Sequence, residues 1–109
     1  MLKKRKFKVI KVMPDFSSSG VWNEGDEGVM IDLEDLEIPQ KLKLLFIDWI
    51  ELYEECWNSS YKYMNKKKAI LIYKRGLQLA KQLKLCYPGT KIIYRGESDT
   101  GLHEAMEIC

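Results

Sequence analysis

The sequence PQKLKLLFIDWIELYEECW, residues 39–57, has the pattern of an amphipathic helix. Pro39 lies at the expected first turn, where the missing N–H of proline removes no helical hydrogen bond. The other surface of this helix is acidic and includes Asp48, Glu51 and Glu54. We therefore expect the apolar face to pack against the rest of the domain. Its side chains recur at helical spacing: Leu42, Leu45, Phe46, Trp49, Ile50, Tyr53 and Trp57.

A second helix is predicted from residue 66 to about residue 85. It follows Asn65, a residue type that commonly caps helix N-termini, and Gly76 is its one weak helix former. Two amphipathic helices in one small chain need a common apolar surface to cover. One side of this predicted helix is marked by Ile70, Tyr73, Leu77, Ala80 and either Leu83 or Lys84.

Three segments have the composition of β-strands. Residues 6–13, KFKVIKVM, alternate charged and apolar side chains, residues 29–31 are VMI, and residues 90–94 are TKIIY. The residues that follow are polar at first and predict a weak helix from Leu102 onward. The order strand, strand, helix, helix, strand predicts a two-layer α+β fold, in which a small, mostly antiparallel sheet of about three strands packs against two amphipathic helices.

The length and composition fit a single soluble domain. We expect one α+β domain over residues 1–109, with residues 97–109 as a mobile tail. No run of about 18 apolar residues is present, and the basic N-terminus lacks the apolar region of a signal peptide, so we expect neither a membrane span nor a leader. The three cysteines are odd in number and have no metal-ligand spacing, which favours free thiols in the cytoplasm.

Charge is segregated along the chain, although the formal net charge is only +2. Residues 1–12 carry six basic side chains and no acid. Residues 13–56 carry twelve acids and two bases, and residues 57–96 carry ten bases and no acid. If folding keeps these blocks apart, the protein has an acidic face and a basic face.

The sequence contains no motif that indicates catalysis or a cofactor. His103 is the only histidine, and a nucleophilic pair would require it to meet a cysteine in space. The acids of residues 26–35 lack the alternating ligands and the final glutamate of an EF-hand calcium loop. The glycines form no phosphate-binding loop. We therefore expect a protein that is not an enzyme and uses no metal or cofactor.

Both charged halves are candidates for binding. In the basic half, lysines are interleaved with Tyr61, Tyr63 and Tyr73, which suits phosphate contacts and base stacking. A nucleic-acid-binding module that uses the lysine-rich second helix is therefore one alternative, and a small scaffold or subunit of a larger assembly is another. An acidic patch with exposed aromatic side chains instead suits a basic protein partner, because charges steer the association and aromatic residues anchor it.

Residues 11–57, KVMPDFSSSGVWNEGDEGVMIDLEDLEIPQKLKLLFIDWIELYEECW, resemble a family of small bacterial proteins. In that family a first strand leads into a Met-Pro-Asp-aromatic loop with serines, then an acidic Ile-Asp-x-x-Asp-Leu segment, then a helix with a Trp and a Tyr. The likeness continues through the second helix and covers most of residues 7–96, although the basic block of residues 62–84 departs from it. The pattern is carried here by Met13, Pro14, Asp15, Phe16, Ser17 to Ser19, Trp22, Ile31, Asp32, Asp35, Leu36, Trp49 and Tyr53.

Proteins of this kind look like immunity proteins of interbacterial toxin systems. The resemblance implies a cytoplasmic protein, monomeric or weakly homodimeric, that binds and neutralises a cognate protein toxin. A toxin that cuts nucleic acid carries cationic groups for phosphate, so an inhibitor that presents carboxylates competes for those groups. For each contact residue the alternative is a structural role, such as Asp15 capping its loop or Trp22 covering the sheet edge. The expected partner-binding residues are Asp15, Phe16, Trp22, Asp26, Glu27, Asp32, Glu34 and Asp35.

Overall fold

The computed structural model describes residues 7–24, 28–58, 66–98 and 101–109. Two helices pack on one face of a β-sheet, as predicted for a two-layer α+β fold. No helix in these ranges is long and apolar enough to cross a membrane. In chain order the elements are β1 (Val9–Val12), β2 (Val21–Asn23), β3 (Val29–Met30), a 3-10 helix (Leu33–Asp35), α1 (Gln40–Asn58), α2 (Lys66–Cys86), β4 (Lys91–Tyr94), β5 (Glu97–Ser98), β6 (Gly101–Leu102) and β7 (Met106–Ile108).

The sheet is larger than the sequence predicted. Among the described residues, five strands lie in the order β3-β2-β1-β4-β7, and β5 and β6 form a separate two-stranded sheet. The central strands β1 and β4 are parallel, whereas the pairs β1–β2, β2–β3 and β4–β7 are antiparallel. The prediction of about three strands therefore undercounted the sheet and did not include its parallel central pair. Parallel strands need a long crossover connection, which here contains both helices.

Residues 101–109 form strands where a weak helix was expected. β6 pairs with β5, and β7 pairs with β4 so that Ile108 lies opposite Ile92. The helix prediction from Leu102 onward was wrong, because pairing with β4 and burial of Ile108, which is only 5% exposed, decide the structure of this short segment. The mobility of residues 97–109 stays a prediction.

The core lies between the helix pair and one face of the sheet. Ile10 and Val12 of β1, Ile92 of β4 and Phe46 of α1 are fully buried in one continuous cluster. Trp49 is 1% exposed, and its indole N–H donates to the carbonyl oxygen of Ile72 at 2.9 Å. The amphipathic face predicted for residues 39–57 is therefore the face that packs on the sheet and on α2. Leu45, predicted on that face, lies at its border and is 44% exposed.

Candidate functional site

The loop between β1 and β2, residues 13–20, is closed by hydrogen bonds at its base. The N–H of Met13 donates to the carbonyl oxygen of Gly20 at 2.9 Å. The hydroxyl of Ser19 donates to the carbonyl oxygen of Ile31 at 2.6 Å, which ties the loop to the segment after β3. These bonds explain why a serine-rich segment has a defined conformation, since hydroxyls satisfy backbone groups that no strand partner reaches.

The tip of the same loop is held against α1. Ser17 has a positive φ of 53°, and its N–H donates to Oε2 of Glu54 at 2.6 Å. The Asp15 carboxylate accepts the N–H of Phe16 at 2.8 Å, so Asp15 does cap its loop. The Phe16 ring lies 5.3 Å from the Tyr53 ring between centroids, yet 47% of Phe16 is exposed. The loop thus presents Asp15 and Phe16 from a fixed position beside α1.

A second contact joins α1 to β5 behind this loop. The hydroxyl of Tyr53 donates to Oε1 of Glu97 at 3.0 Å. Burial raises the pKa of Tyr53, and the negative charges of Glu97 and Asp15 raise it further. Burial also raises the pKa of Glu97; the hydrogen bond from Tyr53 partly offsets this rise, and Asp15 adds to it. The Tyr53 hydroxyl and the Glu97 carboxylate are thus hydrogen-bonded to each other and connect α1 to β5.

A shallow groove of about 530 Å³ lies between the loop, the edge strand β3 and α1. Its apolar members Met30 and Ile47 are 40% and 43% exposed. At its border, Glu34 accepts a hydrogen bond from Nζ of Lys43 at 3.3 Å while its side chain stays 81% exposed. The groove therefore combines exposed apolar side chains with carboxylates. Its lining residues are Ser17, Ser18, Ser19, Met30, Asp32, Leu33, Glu34 and Ile47.

Five of the predicted partner-binding residues lie around this groove, and we call them the acidic surface: Asp15, Phe16, Asp32, Glu34 and Asp35. All five are exposed. Asp32 and Glu34 line the groove, Asp35 belongs to the same 3-10 helix, and Asp15 and Phe16 directly precede the lining residue Ser17. The predicted contacts Asp26 and Glu27 lie outside the described residues.

Trp22 lies on the other side of the sheet. It pairs with Lys11, whose neighbours along β1, Ile10 and Val12, are fully buried beneath the helices. Because successive side chains of a strand point to opposite faces, Lys11 and Trp22 share the face turned away from α1. The Trp22 indole N–H donates to the carbonyl oxygen of Met13 at 3.0 Å. Phe16 and Trp22 therefore belong to different faces of the molecule.

The charge blocks of the sequence occupy neighbouring helices. The exposed side of α1 carries Asp48, Glu51 and Glu55, whereas α2 contains no acid. α1 lies between α2 and the groove, since its Leu45 lines cavities shared with α2, while its Ile47, about 200° around the helix from Leu45, lines the groove. The acidic surface and α2 therefore lie on opposite sides of α1. The exposed bases of α2 are Lys66, Lys67, Lys68, Lys74, Arg75 and Lys81.

Other reactive side chains have structural surroundings. Cys56 is buried, Cys86 is half-buried and Cys109 is exposed, and none of the three forms a disulfide. The ring of His103 lies 4.9 Å from that of Tyr73 between centroids. In the described ranges no group of three or more His, Cys, Asp or Glu side chains is placed to hold a metal ion.

Sequence reasoning missed the residues that position the site. Glu54 was predicted only as part of an acidic helix surface, and its bond to Ser17 joins residues 37 positions apart. Helical periodicity shows that Glu54 points away from the apolar face, but it carries no information about a loop that folds back onto the helix. Tyr53 was part of the predicted apolar face, and its hydroxyl contact with Glu97 had no local signal.

Comparison with known families assigns the chain. A family model described as Serratia CdiI immunity protein-like matches residues 8–96. Comparisons with curated proteins and with solved structures gave no match. The matched segment contains both helices, the loop of residues 13–20 and the groove, and it supports the resemblance to immunity proteins of interbacterial toxin systems. Because the match covers well over half of its length, the chain belongs to the Serratia CdiI immunity protein-like family.

Proposed function

We propose that this protein neutralises a cognate bacterial toxin by binding it through the acidic surface, and that the toxin is a basic nuclease. Membership of an immunity-protein family supports the binding of a toxin. The observation that favours this surface is the groove itself, where exposed carboxylates surround exposed apolar side chains. Such an arrangement gives an interface a charged rim that steers association and an apolar centre that excludes water.

The acidic surface suits a nuclease because its carboxylates resemble the phosphates of the substrate in charge. Lysines and arginines that bind phosphate in the toxin would pair with Asp32, Glu34 and Asp35, and nucleic acid would be excluded. Inhibition by contact needs no catalytic group in the inhibitor. Phe16 is the proposed anchor, since it is half-exposed on a loop already held by Glu54, and a preorganised loop loses little conformational entropy on binding.

The first experiment identifies the toxin and measures how fast it binds. Affinity capture from the native host recovers the partner, and association rates are then measured for the wild type and for the double variant Asp32→Lys/Glu34→Lys. We expect the variant to associate at least about tenfold more slowly at low salt, because steering depends on these charges. The matched control is Glu104→Lys/Glu107→Lys, two exposed acids on the C-terminal segment, of which Glu107 is ion-paired as Glu34 is. Equal association rates for the two double variants would refute the assignment of the surface.

The role of Phe16 as an anchor is tested by measuring how fast the toxin dissociates from the complex. Phe16→Ala removes a half-exposed ring that lies beside Tyr53 and is not part of the buried core, so the fold should persist. We expect faster dissociation with little change in association, because aromatic anchors act after encounter. Trp22, Asp26 and Glu27 stay predictions of partner contact, and Trp22→Ala tests whether the partner reaches the other face of the sheet.

A nucleic-acid-binding module is the second candidate, and the exposed bases of α2 favour it. This helix carries seven basic residues and no acid over its 21 residues. Phosphate binding through these bases predicts affinity for short RNA or DNA that falls steeply with salt. Lys67→Glu/Lys74→Glu should abolish that affinity, whereas Asp32→Lys/Glu34→Lys should retain it. Fluorescence anisotropy across a salt series separates this candidate from toxin binding.

A further inference from the structure

The solvent side of the helix pair carries a groove that the acidic surface does not use. α1 and α2 are antiparallel, since Leu42 near the start of α1 lines a cavity with Gln82 near the end of α2, while Trp49 reaches Ile72. Two adjoining cavities of about 500 and about 380 Å³ follow the groove and share Leu45. We call this the helical face and define it by Leu44, Leu45, Asp48, Leu71, Lys74 and Arg75.

The helical face is apolar and large enough for an interface. Leu44, Leu45 and Leu71 are 50%, 44% and 40% exposed. Helices of 19 and 21 residues are about 30 Å long, and two packed side by side are about 20 Å wide, so the face measures roughly 600 Å². Specific interfaces bury about 800 Å² on each partner, with weak and transient ones below that. A partner that covers this face therefore binds weakly unless charge contributes.

Charge selects the kind of partner. In the larger cavity the charged residue on the α1 side is Asp48, and those on the α2 side are Lys74 and Arg75; Lys41 of α1 lines the smaller cavity. A partner that covers the larger cavity must present a basic group to Asp48 and an acidic group to Lys74 and Arg75. A second copy of the same chain presents this arrangement when it is rotated about a two-fold axis that lies in the interface and runs parallel to the helices.

We propose that the helical face forms a two-fold symmetric homodimer in which α1 of one protomer lies on α2 of its partner. Every helix then has antiparallel neighbours, as in up-and-down four-helix bundles. Two-fold dimers are also the commonest oligomers. A two-fold axis that lies in the interface but is perpendicular to the helices would instead place α2 on the partner's α2. Because α2 has seven bases and no acid, that orientation sets bases against bases. The charges of the helical face therefore select the first orientation.

The proposed symmetry fixes one pair of contacts. Asp48 and Lys74 line the same cavity and so lie at the same level along the groove. Rotation about a two-fold axis parallel to the helices keeps each residue at the same level along the groove and brings the partner's α2 over α1. Asp48 then lies opposite the partner subunit's Lys74, and the symmetry repeats this contact, so that it occurs twice in each dimer. The acidic surface lies on the other side of α1 and stays accessible. The dimer thus goes beyond toxin binding and does not depend on it.

Charge reversal with mixing tests the dimer. Asp48→Lys and Lys74→Asp are changes at exposed positions, and each places like charges in both symmetric contacts. We expect each variant alone to self-associate at least about tenfold more weakly than the wild type in sedimentation velocity at low salt. An equimolar mixture of the two variants should recover the wild-type association, because the introduced lysine then faces the introduced aspartate and the native pair is also restored. Glu104→Lys and Lys8→Asp are matched controls, since both residues are exposed and line neither cavity of the helical face, and they should leave self-association unchanged.

Each outcome decides the proposal. Recovery on mixing supports the dimer and its orientation together. A wild type that stays monomeric at the highest soluble concentration overturns the proposal, and so does a dimer that neither variant weakens, because it uses another face. A monomeric wild type whose toxin or oligonucleotide binding is lost in Asp48→Lys would assign the groove to that partner and also overturns the dimer. Circular dichroism checks the fold of each variant, and Arg75→Asp, which lines the same cavity, replaces Lys74→Asp if that variant does not fold.

Discussion

Gly76 is the residue at which α2 has no room for a side chain. A Cβ atom there would lie 2.5 Å from Cζ2 of Trp49 and 2.5 Å from the hydroxyl oxygen of Tyr94. Neither neighbour is free to move, because the Trp49 indole donates to Ile72 and the Tyr94 hydroxyl donates to the carbonyl oxygen of Tyr73 at 2.7 Å. The glycine that weakens the helix by propensity is therefore the residue that lets α1, α2 and β4 approach one another.

We expect Gly76→Ala to lower the free energy of unfolding by about 1–3 kcal/mol, although alanine is the better helix former. Urea titration measures the change. Gly89→Ala is the control, since a Cβ there meets nothing within 4 Å, and its stability should change by less than about 1 kcal/mol. Equal effects of the two substitutions would mean that Trp49 and Tyr94 do not fix the position of α2.

The contribution of Glu97 to stability falls as the pH rises, whereas that of a carboxylate with a lowered pKa increases with pH. Because burial raises its pKa above the usual 4.5, the folded state binds this proton more tightly than the unfolded state. Its contribution to stability is complete below pH 4.5 and is lost as the pH rises through the raised pKa. Near neutral pH the charged carboxylate is therefore a cost that the bond from Tyr53 only partly offsets.

We expect Glu97→Gln to be more stable than the wild type at neutral pH, by less than about 1 kcal/mol because the site is still partly in contact with water. The amide oxygen keeps an acceptor for Tyr53 while the charge is removed. The difference should disappear as the pH falls below 4.5, where both side chains are neutral. Thermal denaturation at several pH values measures this, with Glu104→Gln, an exposed acid, as the control. A variant less stable than the wild type at neutral pH would show that the charged hydrogen bond outweighs desolvation.

At the scale of elements, the sequence predicted the helices well and the sheet only in part. The expected residues 39–57 and 66–85 agree within one residue with α1 and α2, because helical spacing of apolar residues extends over the whole of each helix. The face expected for α2 was partly wrong: Ile70 is 45% exposed, whereas Ala69 and Ile72 are fully buried. β1 and β4 were also expected, but not their parallel pairing, because a strand's own residues do not specify its neighbour. β2 and β7 are three residues long, too short for alternation to be informative.

The candidate site was predictable in composition but not in arrangement. The acids and the aromatic residue of the acidic surface were named from the acidic composition of residues 13–56 and from the family resemblance, and their contact with a partner stays a prediction. That Asp32 and Ser17 line one groove follows from the antiparallel pairing of β2 with β3 and from the bond between Ser19 and Ile31. Composition alone specifies neither the register of that hairpin nor the partner of Ser19. That Trp22 lies on the other face depends on the strand register, which a one-residue shift would reverse.

The C-terminal strand β7 supplies the test of whether residues 97–109 are mobile. Ile108 is 5% exposed and lies opposite Ile92, so Ile108→Ala should lower the free energy of unfolding by about 2–4 kcal/mol. Met106→Ala, at a position of the same strand that is 40% exposed, should cost less than about 1 kcal/mol. Urea titration compares the two variants. Small effects of both would mean that β7 contributes little to the core and that this segment is a mobile tail.

At the scale of the whole molecule, folding brings opposite charge blocks together. Residues 13–56 have twelve acids and two bases, and residues 57–96 have ten bases and no acid. In the fold these blocks become neighbouring elements, with Asp48 of α1 and Arg75 of α2 lining one cavity. In the unfolded chain the blocks are farther apart on average, so their attraction stabilises the folded state. The Debye length falls from about 30 Å at 0.01 M salt to about 8 Å at 0.15 M, so salt weakens this attraction.

We therefore expect the Tm of the dilute, monomeric protein to fall by a few degrees when NaCl rises from about 10 mM to about 150 mM, since about 1 kcal/mol corresponds to roughly 4–8 °C in a domain near this size. The matched control is Glu51→Gln/Glu55→Gln/Lys67→Gln/Lys74→Gln, which removes two acids from α1 and two bases from α2 and leaves the net charge at +2. Because net charge is constant, any difference in salt response reports on the attraction between the helices and not on overall repulsion. A smaller salt effect in the control would locate the attraction in the helix layer. A wild-type Tm that rises with salt would mean that repulsion within the blocks exceeds the attraction between them.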